Sequence, residues 1–141
     1  MPSWGRLGIE LCPFWNNSLK MLVQSKWKGN LSSFFWVYAN TNIVELYNGE
    51  IKETILNPNE LGIKAGKFEN IIGKGPDYNS EKIREIFQGK DNDFSIAVCL
   101  NAAAGLIVAD KSSSFKEGYT KLRDHILSGK VMAHMSKLQS W

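Results

Sequence analysis

The clearest hydrophobic pattern in this chain begins at residue 42. "NIVELYNGEIKETIL" alternates apolar and polar positions on both sides of Asn48-Gly49. Asn-Gly accepts the positive φ angles of a type I′ turn, and Ile43, Val44, Tyr47, Ile51 and Ile55 favour strands, so the run predicts a hairpin over about 43–56. "NPNELGI" follows, where Asn57 before Pro58 starts at most one helical turn. "KAGKFENIIGKGPDYN" reads as loop with a short apolar anchor of Phe68, Ile71 and Ile72.

The period then changes to that of helices. "NSEKIREIFQG" predicts a helix over 79–88, capped by Asn79 or Ser80, with Ile83, Ile86 and Phe87 on one face and Gly89 as its stop. Asp91-Asn92-Asp93 caps a helix over 94–109. This second helix is apolar nearly all round rather than along one stripe, which predicts burial on most sides. Ala97, Asn101 and Gly105 recur every four residues as a smooth ridge, and the Asn101 amide needs hydrogen-bond partners wherever it is buried. Ser114, three residues before Glu117, forms a capping box. It starts a helix over 115–128 that places Phe115, Tyr119, Leu122 and Ile126 at helical spacing. Gly129 ends it, and 130–138 is a final short helix with Val131, Met135 and Leu138 inward.

Residues 1–40 show no sustained period of 2 or 3.6. "LKMLVQ" reads as a helical turn and "SFFWVYAN" as a strand, within an otherwise irregular leader. Composition sets this segment apart as well. It holds four of the five tryptophans (Trp4, Trp15, Trp27, Trp36), and Arg6, Lys20, Lys26 and Lys28 against Glu10 alone. That local excess of three positive charges equals the net +3 of the whole chain. No Lys/Arg cluster or helical stripe organises them, so neither nucleic acid nor a membrane is the expected partner. Residues 94–109 come nearest to a membrane span but fall short of the roughly 20 apolar residues one needs. A chain of 141 residues, 43% hydrophobic and 22% charged, suits one compact domain. Cys12 and Cys99 lack any C-x-x-C spacing and read as two reduced thiols in a cytoplasmic protein.

Candidate chemistry is thin. The glycines of "IIGKGPDY" suggest a phosphate cradle, but Pro76 supplies no N–H, and a turn is the expectation. Asp91 and Asp93 begin like a calcium loop without its later glycine and glutamate. His125 and His134 lie nine apart with no Cys or Glu at ligand spacing, and His125 sits where a helix C-terminus favours positive charge. Cys99 falls inside the apolar helix, where its thiol is inert. Ser112, Ser113 and Ser114 are accounted for by capping. The residues therefore nominate no catalytic, substrate-binding or metal position.

The stretch from 42 to about 138 nevertheless resembles the C-terminal end of the anthranilate phosphoribosyltransferase family. Four runs in register carry the likeness: "IVELYNGEIKETILNPNELGI", "GPDYNSEKIREIFQG", "VCLNAAAGLIVADK" and "SFKEGYTKLRDHILSGKVMAHMSKL". Ser95-Ile96 departs from the Arg-Asp that many members carry. The resemblance implies an α/β fold, of which residues 41–141 form an incomplete domain. It also implies transfer of ribose 5-phosphate from phosphoribosyl pyrophosphate to anthranilate, in tryptophan biosynthesis, with magnesium in the complete enzyme. The family's G-T-G-G-D, K-H-G-N-R and D-G-L-D-E motifs occur nowhere in these 141 residues, so no catalytic, substrate or metal residue carries over. The homodimer of the family likewise forms through an N-terminal domain without counterpart here. The expectation is a C-terminal fragment, inactive alone, with the missing upstream part as its partner in the alternative of a split enzyme. A further alternative is a non-enzymatic interaction protein using the Trp-rich leader. A shifted reading frame through "LKMLVQS" would spell K-N-V-G-S-K, close to the family's expected segment, and the nucleotide sequence tests that origin for the leader.

Overall fold

The computed structural model describes residues 22–27, 30–32, 37–47, 50–64 and 66–140. Strands β1 (Leu22–Trp27), β2 (Asn30–Ser32), β3 (Thr41–Tyr47) and β4 (Glu50–Leu56) form one antiparallel sheet in the order β2-β1-β3-β4. Helices α1 (Pro76–Phe87), α2 (Asp93–Val108), α3 (Phe115–Leu127) and α4 (Lys130–Gln139) follow. Short 3₁₀ turns at Pro58–Leu61 and Phe68–Ile71 connect the sheet to α1.

The hairpin register pairs Thr41 with Leu56 and Tyr47 with Glu50, as alternation around Asn48-Gly49 requires. The turn residues 48 and 49 themselves lie outside the described residues, as do Trp4, Trp15, Trp36 and Cys12. β1 corrects the reading of "LKMLVQ" as a helical turn. Leu22 to Ser25 pair with Val44 to Thr41, so a sheet edge offered by β3 overrides a weak local preference.

Helix boundaries show where capping chemistry decides. Asn57 Oδ1 accepts the Asn59 N–H at 3.0 Å and Pro58 opens the first 3₁₀ turn. α1 starts at Pro76, three residues before the expected cap, and so a helix does open at "KGPDY". Proline's fixed φ suits the first helical position, where its missing N–H costs nothing. Asn79 instead accepts the Lys74 N–H at 3.0 Å, tying the preceding loop to the helix. Asn92 caps α2: its Oδ1 accepts the Ser95 N–H at 2.9 Å while Ser95 Oγ accepts the Asn92 N–H at 3.0 Å. Ser95 thus closes a capping box, which is the role of the position that departs from the family pattern. At α3, Ser114 Oγ accepts the Glu117 N–H at 3.2 Å, but the Glu117 carboxylate reaches past Ser114 to the Ser113 N–H at 2.9 Å. The Ser113 hydroxyl, together with that backbone bond, holds the Glu117 carboxyl below its usual range.

The core gathers Val37, Ile43, Leu56 and Ile63 from the sheet side with Ile86, Cys99, Leu100, Ala103, Ala104, Tyr119 and Ile126 from the helices. Leu100 and Ala103 are fully buried. Gly118 of α3 faces Ala103, where an added Cβ would meet the alanine Cβ at 3.3 Å, so the two small residues set the α2–α3 approach. Gly89 takes φ +88° where α1 turns back, and a Cβ there would meet the Leu127 carbonyl oxygen at 2.9 Å. Two inward assignments fail: Ile83 and Leu138 are half or more exposed, because α4 buries none of its residues and covers little of α1. α2 is buried along one side only, and Val98, Ala102, Gly105 and Val108 are exposed.

Candidate functional site

Two clefts meet where the 66–72 loop crosses the start of α2. The first, of about 670 Å³, is lined by Glu69, Lys74, Tyr78, Lys82, Glu85 and Lys90, among others. The second, of about 620 Å³, includes Lys64, Gly66, Lys67 and Arg123. Asn70 and Asp93 line both.

Asp93 sits in the first turn of α2, where the helix dipole favours a carboxylate. Its Oδ2 accepts the Asn70 side-chain amide at 2.6 Å, which pins the 68–71 turn to α2. A Cβ on Gly66 would meet the same Oδ2 at 3.1 Å, so the loop passes closely because residue 66 lacks a side chain. Burial, together with Asp93 and Glu69, pushes the Tyr38 hydroxyl up to about 12.

The charges of the first cleft satisfy one another. Glu85 accepts from Lys90 Nζ at 2.8 Å and from Lys82 Nζ at 2.9 Å, and the two ammonium groups hold its carboxyl below the usual range. Lys74 and Lys82 lie 4.8 and 5.3 Å from the Tyr78 ring centre, in cation–π range. Three lysines against Glu69, Glu85 and Asp93 leave this cleft balanced. The second carries Lys64, Lys67 and Arg123 against Asp93, yet Arg123 is already committed, donating to Asp91 and to the Tyr119 hydroxyl.

The residues weighed as candidate chemistry are not brought together. Asp91 pairs with Arg123 and Asp93 with Asn70, so the two carboxylates of D-x-D take different partners. His125 and His134 are exposed on separate helices. Cys99 is buried beneath α3, and that burial raises its thiol to about 11, far from a reactive thiolate. Among the described residues no group of three or more His, Cys, Asp or Glu is placed to hold a metal ion. The lysine and tyrosine cleft was missed although its spacing was legible, since Lys74, Tyr78 and Lys82 recur every four residues and Glu85 follows Lys82 by three.

The pattern of the glycosyl transferase family, a/b domain, matches residues 27–132. The chain belongs to this family. Its match begins inside the segment read as a leader. Among relatives in the glycosyl transferase family, the anthranilate phosphoribosyltransferase of Pelagibacter ubique (strain HTCC1062) is 48% identical over 103 residues. That match takes in 73% of this chain and 31% of the relative. The anthranilate phosphoribosyltransferase of Pseudoalteromonas translucida (strain TAC 125) is 36% identical over 97 residues, 68% of this chain and 27% of its own. The crystal structure of anthranilate phosphoribosyltransferase from Thermus thermophilus superposes with a TM-score of 0.71 at 25% identity, over 97% of this chain and 39% of that one. The α/β fold and the likeness to the C-terminal part of anthranilate phosphoribosyltransferase are thereby established. The chain spans about a third of the length of the curated relatives it matches. No helix among the described residues is long and apolar enough to cross a membrane.

Proposed function

We propose that these 141 residues are the C-terminal part of the α/β domain of an anthranilate phosphoribosyltransferase of tryptophan biosynthesis, working in the cytoplasm and catalytically silent by themselves. The domain reading takes 41–141 as that part and 1–40 as a leader without family resemblance; since the family pattern matches from residue 27, we place 27–40 with the domain and keep only the residues before 27 as the leader. The single observation that carries this is the pairing of 48% identity with coverage of only 31% of the relative. The family motifs for diphosphate, anthranilate and magnesium are missing from the sequence. Phosphoribosyl transfer needs donors and a metal anchored where charge develops on the leaving pyrophosphate. The lysines that could supply positive charge here are paired with Glu85 or spread along an open cleft.

A purified preparation of the chain, mixed with phosphoribosyl pyrophosphate, anthranilate and magnesium, is expected to leave anthranilate fluorescence unchanged. Calorimetric titration with the sugar donor is expected to give no binding heat. Authentic turnover by a homogeneous preparation would overturn the proposal. A second reading, one half of an enzyme completed by its upstream part, is supported by the exposed apolar side of α2.

A further inference from the structure

α1 and α4 leave a groove between them of about 310 Å³, with an apolar lining of Ile83, Phe87, Met132 and Met135. Each wall runs about two turns, from Ser80 to Phe87 on α1 and from Met132 to Gln139 on α4. The groove is open to solvent. Ile83 keeps 50% of its surface exposed, Leu138 of α4 keeps 56%, and α4 buries none of its residues. Methionine side chains adapt to an incoming surface better than branched ones do. Arg84 stands at the lip of this groove, one turn past Ser80, and Asp77 stands one turn before Ser80. Spacings of three and four place all three along one line of the helix. Asp77 and Arg84 are exposed, and neither forms a salt bridge among the described residues.

Opposite charges on one exposed line of a helix are self-complementary. Laid antiparallel against a second copy, α1 brings Arg84 opposite Asp77 of the second copy and Asp77 opposite its Arg84. Both pairs form at once about a two-fold axis midway between them. A parallel arrangement sets like charges together, which is repulsive. α4 offers no such solution with itself, because Lys130, His134 and Lys137 are its only titratable side chains and none is an acid. We infer that the α1–α4 groove is a self-association surface, covered by a second copy of this chain in an antiparallel, two-fold arrangement held by reciprocal Asp77–Arg84 pairs. The contact runs about 18 Å along α1 at 1.5 Å per residue, which suits a weak, reversible dimer rather than an obligate one. It uses none of the N-terminal domain through which the family is expected to dimerise. It also goes beyond the proposed function and does not rest on it.

The test is sedimentation equilibrium of the 141-residue chain and its variants over a range of concentrations, with circular dichroism as the check on helix content. The mass of the wild-type chain should rise with concentration towards twice that of the monomer. Asp77→Arg and Arg84→Asp should each weaken self-association roughly tenfold or more, because like charges then face each other across the axis. Mixed in equal amounts, these two variants should associate with each other as strongly as the wild type does, since each supplies the sign the other lacks. Met135→Glu should also weaken the dimer, while Lys116→Glu, exposed on α3, should leave it within about twofold. A chain that stays monomeric at every concentration overturns the inference and leaves the groove to a different protein. Self-association that the two charge reversals leave unchanged, or that their mixture fails to restore, overturns it as well. Turnover by the lone chain bears only on the proposal of silence, so the two fail separately.

Discussion

Replacing Gly89 by alanine is expected to loosen the end of α3 far more than the same change at Gly129. Both glycines have positive φ, +88° and +71°, so an alanine at either meets the left-handed penalty of about 1–2 kcal/mol. Reduced freedom of the unfolded chain offsets about 0.4–1 kcal/mol of that. Gly129 has open space where a Cβ would go, and its net cost should stay near about 1 kcal/mol. At Gly89 the Cβ would sit 2.9 Å from the Leu127 carbonyl oxygen and 3.2 Å from that of Ile126. Those are backbone atoms in the last turn of α3, which cannot swing aside as a long side chain would. Relieving the overlap adds about 1–3 kcal/mol, by analogy with overpacked interiors. Amide hydrogen exchange at Ile126 to Gly129 reads the difference without requiring a two-state melt. Gly89→Ala should lower protection there by a further factor of roughly 5 to 150 relative to Gly129→Ala. Equal protection in the two variants would refute the reasoning.

Leu100→Ala removes the fully buried centre of the core and should cost about 2–5 kcal/mol, seen as general loss of slow-exchanging amides in α2 and α3. Cys99 should resist iodoacetamide at about pH 8 until denaturant is added, and fast labelling located at Cys99 by peptide mapping of the native chain would contradict its burial. The same thiol sets an alkaline limit. The folded state keeps its proton up to about 11 and the unfolded chain releases it near 9.0, so its contribution is whole below 9.0 and is lost as pH rises towards 11. Cys99→Ala should flatten the fall in stability measured by urea titration across that window.

Much of the fold was legible because periodicity and caps agreed. The hairpin, read over 43–56 and observed from Thr41 to Leu56, the cap at Ser114 and the stop at Gly89 follow from residue types whose local chemistry leaves few alternatives. The start of α1 was missed because Asn79 and Ser80 look like better caps than Gly75, and only the fixed φ of Pro76 argued otherwise. β1 was missed for a different reason. "LVQSKW" has no strong pattern of its own, and its strand state is imposed by pairing with β3. The lysines around Tyr78 and Glu85 were a different case: Lys74, Lys82 and Lys90 reach them from three to five residues away, a local helical spacing that the reading of 73–78 as a turn concealed. The sequence did carry the family, through the four runs between 42 and 138 that the comparisons match.

β4 closes the sheet on one side, with every side chain from Glu50 to Ile55 exposed. An open strand edge is ordinarily a template for endless growth, yet three of those six residues, Glu50, Lys52 and Glu53, are charged. Stacking identical copies in register would set like charges against each other at intervals of about 4.8 Å, which opposes ordered fibres. Crowded solutions of the lone chain should therefore turn cloudy with soft, helix-rich clumps that fail to stain with amyloid dyes.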